Sequence, residues 1–201
     1  MRYNFTLILQ KKGISMIKKS ILSLFLLSSL LFQGCFDEEK KVEDANAMVA
    51  SNEFVLTTLK NKQIIVKKTE HGFIVEGNRD KIIMFDVFAT WCPPCQAEAP
   101  HLGTLQKKYK DKLLIIGLTI EDAIPNAKLE QFKKQHNATY TFANSAQNRA
   151  LITEIADMLK LPDSFPIPMM AMYKDGELVQ HYIGAVEEEF IESDIKQALK
   201  K

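Results

Sequence analysis

Apolar and polar residues alternate in short runs from Glu53 to the C-terminus, and the period of that alternation changes along the chain. Glu53–Thr58, Gln63–Lys67 and Gly72–Glu76 repeat with a period near two and are parted by Lys60-Asn61-Lys62 and Glu70-His71-Gly72. They predict an N-terminal strand followed by a hairpin. Lys81–Ala89 is apolar on both faces, as a buried central strand would be. Pro94–Lys110 follows as a helix with Ala99, Leu102, Leu105 and Tyr109 inward and Pro100 bending it. Leu113–Ile120 is a second buried strand, completing a βαβ unit. The pattern then predicts a helix over Asn126–His136, a short strand or extended piece over Ala138–Ala143 and a helix over Ala146–Leu161. Strands Met169–Lys174 and Glu177–Ile183 are joined by Asp175-Gly176, a strong hairpin signal. Glu187–Lys200 closes the chain as an amphipathic helix with Phe190, Ile191, Ile195 and Leu199 inward. This order makes an α/β sandwich around a mixed central sheet.

The N-terminal region reads differently. Lys18 and Lys19 precede Ile21–Phe32, a run of 12 residues interrupted only by serines, and Gly34, Cys35 and a charged stretch follow. A basic start, a short apolar core and a small residue describe a secretory signal, too short for a spanning helix. Residues 1–34 are therefore expected to be removed, and Met16 opens a cleaner signal than Met1 does. Leu31-Phe32-Gln33-Gly34-Cys35 resembles a bacterial lipobox, which implies that Cys35 becomes a lipidated N-terminus and residues 35–52 a flexible tether. The bland alternative is an ordinary cut near Gly34 that leaves a free thiol. An anchor accounts for the odd cysteine count, since three minus one leaves a pair. Residues 53–201 then form one globular domain. Removing residues 1–34 takes away five basic side chains and no acidic ones, leaving 21 basic against 25 acidic residues, a net charge of −4. That balance gives no electrostatic case for nucleic acid.

The chemistry lies in Trp91-Cys92-Pro93-Pro94-Cys95. Two thiols at this spacing can close a disulfide within one turn of chain. A strand before the pair and a helix after it put Cys92 at a helix N-terminus, where unpaired N–H groups and the helix dipole favour a thiolate. Cys92 is thus the expected attacking sulfur and Cys95 the resolving one. A purely structural bridge would constrain almost no chain entropy over so short a loop, and half a zinc site lacks its second ligand pair. Pro93 and Pro94 restrict the turn and remove two backbone donors, as helix-starting prolines would also do. Asp86 lies between Phe85 and Val87, so burial is expected over a water-facing strand end. The four histidines are scattered, and Met169, Met170 and Met172 read as core packing. No metal is expected, and no cofactor beyond the redox-active Cys92–Cys95 pair.

Ala89-Thr90-Trp91-Cys92-Pro93-Pro94-Cys95, with Pro100 downstream, Ile167-Pro168 before a late strand, and Gly184-Ala185 after the last one, resembles thioredoxin over roughly residues 53–200. The export signal, the N-terminal hairpin and Cys95-Gln96-Ala97-Glu98-Ala99-Pro100 are most similar to the membrane-tethered TlpA/ResA/CcmG group. The resemblance implies a thioredoxin-like fold with an N-terminal β-hairpin extension and a cis bond before Pro168. It also implies carboxylates Asp86 and Glu98 near the thiols, able to take the Cys95 proton, although Glu98 reads equally well as a solvated helix residue. Trp91, Pro93, Pro94, Ile167 and Pro168 would form the client surface. Asp86 stands where many of the group carry asparagine, and Pro166 adds a proline before Pro168, which predicts a client groove of different shape.

The activity so implied is extracytoplasmic thiol–disulfide exchange by a lipid-anchored protein on the periplasmic side of a bacterial membrane. The expected role is reduction of client disulfides, such as those of apocytochromes c during cytochrome c maturation, with electrons from a membrane donor. A disulfide oxidase or isomerase is the alternative within that class, and a metal or haem chaperone the alternative outside it.

Overall fold

The computed structural model describes residues 52–200. The signal segment, the alternative start at Met16, Cys35 and nearly all of the tether lie outside the described residues. Among the described residues, no helix is long and apolar enough to cross a membrane.

Among the described residues, eight strands and four helices follow the order read from the periodicity. Strands β1 (Glu53–Thr57), β2 (Gln63–Lys68) and β3 (Phe73–Val75) form their own antiparallel sheet. The expected strand and hairpin are therefore one continuous meander. The central sheet has the order β6-β5-β4-β7-β8, built from β4 (Ile82–Phe88), β5 (Leu113–Thr119), β6 (Thr141–Ala143), β7 (Met169–Lys174) and β8 (Glu177–Ile183). Parallel pairing joins β4, β5 and β6, and antiparallel pairing joins β4, β7 and β8, so the sheet is mixed. Helix α1 (Pro93–Lys108) links β4 to β5, α2 (Asn126–Gln135) links β5 to β6, α3 (Asn148–Met158) links β6 to β7, and α4 (Glu188–Ala198) closes the domain. Asp175 and Gly176 both take positive φ, 55° and 85°, as the tight β7–β8 turn demands.

Side-chain parity sorts β4 between two cores. Ile82, Met84 and Phe88 face α1, α2 and α4, together with Leu102, Leu105, Phe132, Ile191 and Ile195. Ile83, Phe85 and Val87 face α3 and the small sheet, together with Leu56, Val66, Phe73 and Tyr173. Each of these large side chains contributes about 1.5–3 kcal/mol by leaving water. Asp86 shares the parity of Met84 and Phe88, so its carboxyl lies on the α1 side of the sheet. Helix α1 comes very close to the segment after α2 because residue 103 is glycine. A Cβ there would lie 2.3 Å from the Asn137 carbonyl oxygen.

Three expectations need correction. Phe190 is 65% exposed, so the inward face of α4 is Ile191, Ile195 and Ala198, with Leu199 packed at its edge. Helix α3 ends at Met158, short of Leu161, because Lys160 turns into positive φ (56°) and the Leu161 N–H returns to the Ala156 carbonyl at 2.9 Å. Within Ala138–Ala143 only Thr141–Ala143 pairs as a strand. Tyr140, just before it, turns inward instead and is buried.

Candidate active site

Cys92 is the N-cap of α1, with Pro93 and Pro94 as the first two helical residues. The two prolines fall where helix N–H groups have no intrahelical partner, so they cost no internal hydrogen bond. The Cys92 sulfur accepts the Cys95 N–H at 3.3 Å, the place an N-cap oxygen would take. A thiolate released there meets that N–H and the positive end of the helix dipole. Cys92 and Cys95 are joined in a disulfide, and each residue is only 3% exposed. Position on the helix, rather than exposure, distinguishes the two sulfurs.

Opposite the pair, the Ile167–Pro168 bond is cis and the Ile167 carbonyl oxygen lies 3.7 Å from the Cys92 sulfur. Trp91 is 64% exposed beside the pair in sequence, and Pro93 and Pro94 are exposed as well. A groove of about 460 Å³ begins at Ile167 and runs between α3 and the loop that carries Phe165. Of the residues expected to meet clients, Trp91, Pro93 and Pro94 are thus exposed, whereas Ile167 is half-buried and Pro168 is buried, so on that side only the edge of the segment is open.

The loop that delivers Trp91 and Cys92 is held by residues the sequence reading did not single out. Thr90 donates its N–H to one Glu121 carboxylate oxygen at 2.6 Å and its hydroxyl to the other at 2.9 Å. The Gln96 side-chain amide donates to the Thr90 carbonyl at 2.8 Å. Glu121 follows the end of β5, and Thr90 follows the end of the parallel neighbour β4, so the register of the two strands brings them together. A polar residue just past each of two adjacent strand ends was the available signal. Glu121→Ala is expected to free the loop and lower turnover about tenfold, whereas Glu121→Gln keeps at least one acceptor and most of the rate. Hydrogen exchange at the Thr90 amide, measured beside turnover, checks this.

On the α1 side of the sheet Asp86 is buried, and Glu98 is buried on α1 itself, one turn after Cys95. Asp86 is 2% exposed, and the Tyr140 hydroxyl donates to its Oδ2 at 2.7 Å. Burial pushes the Asp86 carboxyl up to about 7; the Tyr140 hydrogen bond opposes that shift and the nearby Glu98 adds to it. Glu98 is 1% exposed, so the solvated alternative is excluded. Its Oε2 accepts the Val186 N–H at 2.8 Å, while its Oε1 is buried with no partner. Burial raises its pKa, and the Val186 hydrogen bond works against that. The tyrosine partner went unread because Tyr140 alternates with Thr139 and Thr141 in a short extended piece and looks like an ordinary core ring.

A sulfur capped by helix N–H groups, in a domain that buries one acid holding its proton up to about 7 and a second whose pKa burial also raises, is suited to trading its disulfide with another. The fold and site define a thioredoxin-fold thiol–disulfide oxidoreductase. The Redoxin family model matches residues 73–199, and the chain belongs to that family. It is 30% identical over 168 residues to the thiol-disulfide oxidoreductase ResA of Bacillus cereus, covering 83% of this chain and 85% of that one. It is 25% identical to ResA of Geobacillus kaustophilus over 189 residues, 92% and 97% of the two chains. Among solved structures, a thiol:disulfide interchange protein of the thioredoxin family from Chlorobium tepidum superposes with a TM-score of 0.53 at 17% identity, over 74% of this chain and 94% of that one. The likeness to the TlpA/ResA/CcmG group read from the sequence is borne out.

Proposed function

We propose that the protein is an extracytoplasmic reductant of client disulfides, anchored to a bacterial membrane through a lipid on Cys35. The Cys92 thiolate attacks one sulfur of a client disulfide, forming a Cys92–client bond and releasing one client thiolate. Cys95 gives its proton to Asp86, and its sulfur then attacks Cys92. The Cys92–Cys95 bond closes as the second client sulfur leaves, and two electrons have passed from the dithiol to the client. Ile167 and Pro168 border the attacking sulfur and, with Trp91, Pro93 and Pro94, would seat an extended client. Glu98 adds negative potential beside Asp86 and helps hold its proton near neutrality.

The observation that carries the direction is the pair of buried carboxyl groups, Asp86 and Glu98, on the α1 side of the sheet. Burial that disfavours charge on these acids also disfavours a thiolate on the buried Cys95, and so favours the disulfide product, which drives electrons outward to the client. Client cysteine pairs of the haem-attachment type in apocytochromes c fit this role, and the relatives named ResA support it by similarity. Regeneration would need a membrane electron donor, because the space outside the cytoplasmic membrane is kept oxidising.

Equilibration with glutathione, together with trapping of the thiol state in cells, tests the direction. A potential near about −270 mV with mostly reduced thiols is expected for a reductant. A potential near about −120 mV with the pair held oxidised would make the protein an oxidase instead.

A further inference from the structure

Tyr140 is buried at 2% exposure, lies outside the dithiol motif, and places its hydroxyl 2.7 Å from Asp86 Oδ2. No other hydrogen bond reaches the Asp86 side chain among the described residues. The register of the sheet explains why. Asp86 sits opposite Gly117 on β5 and Met170 on β7, and neither neighbour carries a polar side chain. The titratable groups that act on Asp86 from other elements are Tyr140 from the α2–β6 connection and Glu98 from α1. The charge that touches Tyr140 is Lys133 of α2, whose ammonium donates to the Tyr140 backbone carbonyl and lies 5.7 Å from its ring centre. Lys133 therefore holds the backbone and leaves the hydroxyl free to aim at the acid.

A carboxyl that must take a proton and later give it up needs both an orientation and a defined preference for its charged form. A single buried phenol donor supplies both. It favours the ionised carboxylate against burial, and it ties one oxygen down, which fixes the plane of the carboxyl. Packing alone would need only a ring here, and phenylalanine would fill the same space.

We propose that Tyr140 is a positioning residue for the exchange reaction: its hydroxyl orients Asp86 and sets the pH above which Asp86 accepts the Cys95 proton. This rests on the role given to Asp86 above. Release of the second client thiol by the reduced full chain, with a peptide disulfide as substrate, is followed across pH. Tyr140→Phe is expected to move the acid limb of this step alkaline by about one pH unit or more. The rate then falls about tenfold near pH 6 and meets that of the unaltered chain near about pH 9. Incorporating 3,5-difluorotyrosine at position 140, a stronger donor of nearly the same shape, is expected to move the limb the other way. That second variant stands whether or not Tyr140→Phe folds well. Limbs that coincide with the unaltered chain in the fluorinated protein, or a rate lowered equally at every pH, would overturn the inference. Asp86→Asn separates the two levels. Loss of the acid limb in that variant upholds Asp86 as acceptor, so an unmoved limb in the Tyr140 variants counts against Tyr140 alone. An acid limb that survives Asp86→Asn defeats the Asp86 role and this inference with it.

Discussion

Replacing Cys95 by serine is expected to stop turnover, by on the order of a thousandfold, while leaving the first exchange intact. Cys92 keeps its N-cap site and the backbone N–H of residue 95, so it still attacks. The mixed disulfide then has no internal thiol to displace the client. Covalent adducts should accumulate on Cys92, disappear under reducing agent, and yield the client's identity by mass spectrometry. Cys92→Ser should capture nothing. Adducts that form on Cys95 in the Cys92→Ser chain, with none on Cys92 in the Cys95→Ser chain, would reverse the assignment of attacker and resolver. The serine at 95 sits at a nearly closed position of similar size, so the fold should survive in both variants.

Asp86→Asn should make the protein slower and more stable together. The folded chain holds the Asp86 proton up to about pH 7, against an ordinary value of 3.8. Between those values the folded state binds more protons than the unfolded one, so stability falls as pH rises through that window and stays lower above it. Asparagine carries no charge to desolvate and still offers Tyr140 a carbonyl oxygen. The variant should therefore gain on the order of 3 kcal/mol at pH 8 and lose the slope between about pH 4 and 7. Removing the proton acceptor should meanwhile slow resolution about tenfold to a hundredfold near neutrality. Urea titrations across pH and single-turnover rates check the two halves separately. Equal stability curves would show that the acid is not held protonated by burial.

Much of this could be read before any coordinates. The period-two and period-3.6 runs placed every strand and helix, because β4 and β5 are apolar on both faces and the helices between them are not. The dithiol, Pro168 and a buried Asp86 were legible from spacing and resemblance, whereas Glu98 read equally well as solvated; the structure bonds the two sulfurs, sets the Ile167 carbonyl beside Cys92 and buries both acids. What stayed hidden came from contacts across the sheet. Phe190 stands next to Ile191 in an apolar pair but about 100° away round the helix, and the apolar stripe of α4 is too narrow to include it. Tyr140 and Glu121 act through partners 54 and 31 residues away, and a one-dimensional pattern holds no record of such distances. Lys160 ended α3 early through a backbone turn that no glycine announced.

The aromatic rings of Phe73, Phe85 and Tyr173 meet edge to face, at centroid separations of 5.3 to 5.9 Å, where the small sheet covers the central one. The family match begins at Phe73, in the middle of that seam. A fragment trimmed to the shared family boundary would discard β1 and β2 and leave oily rings open to water. The first two strands are thus part of the wall of the enzyme, and any working minimal version has to begin ahead of Glu53.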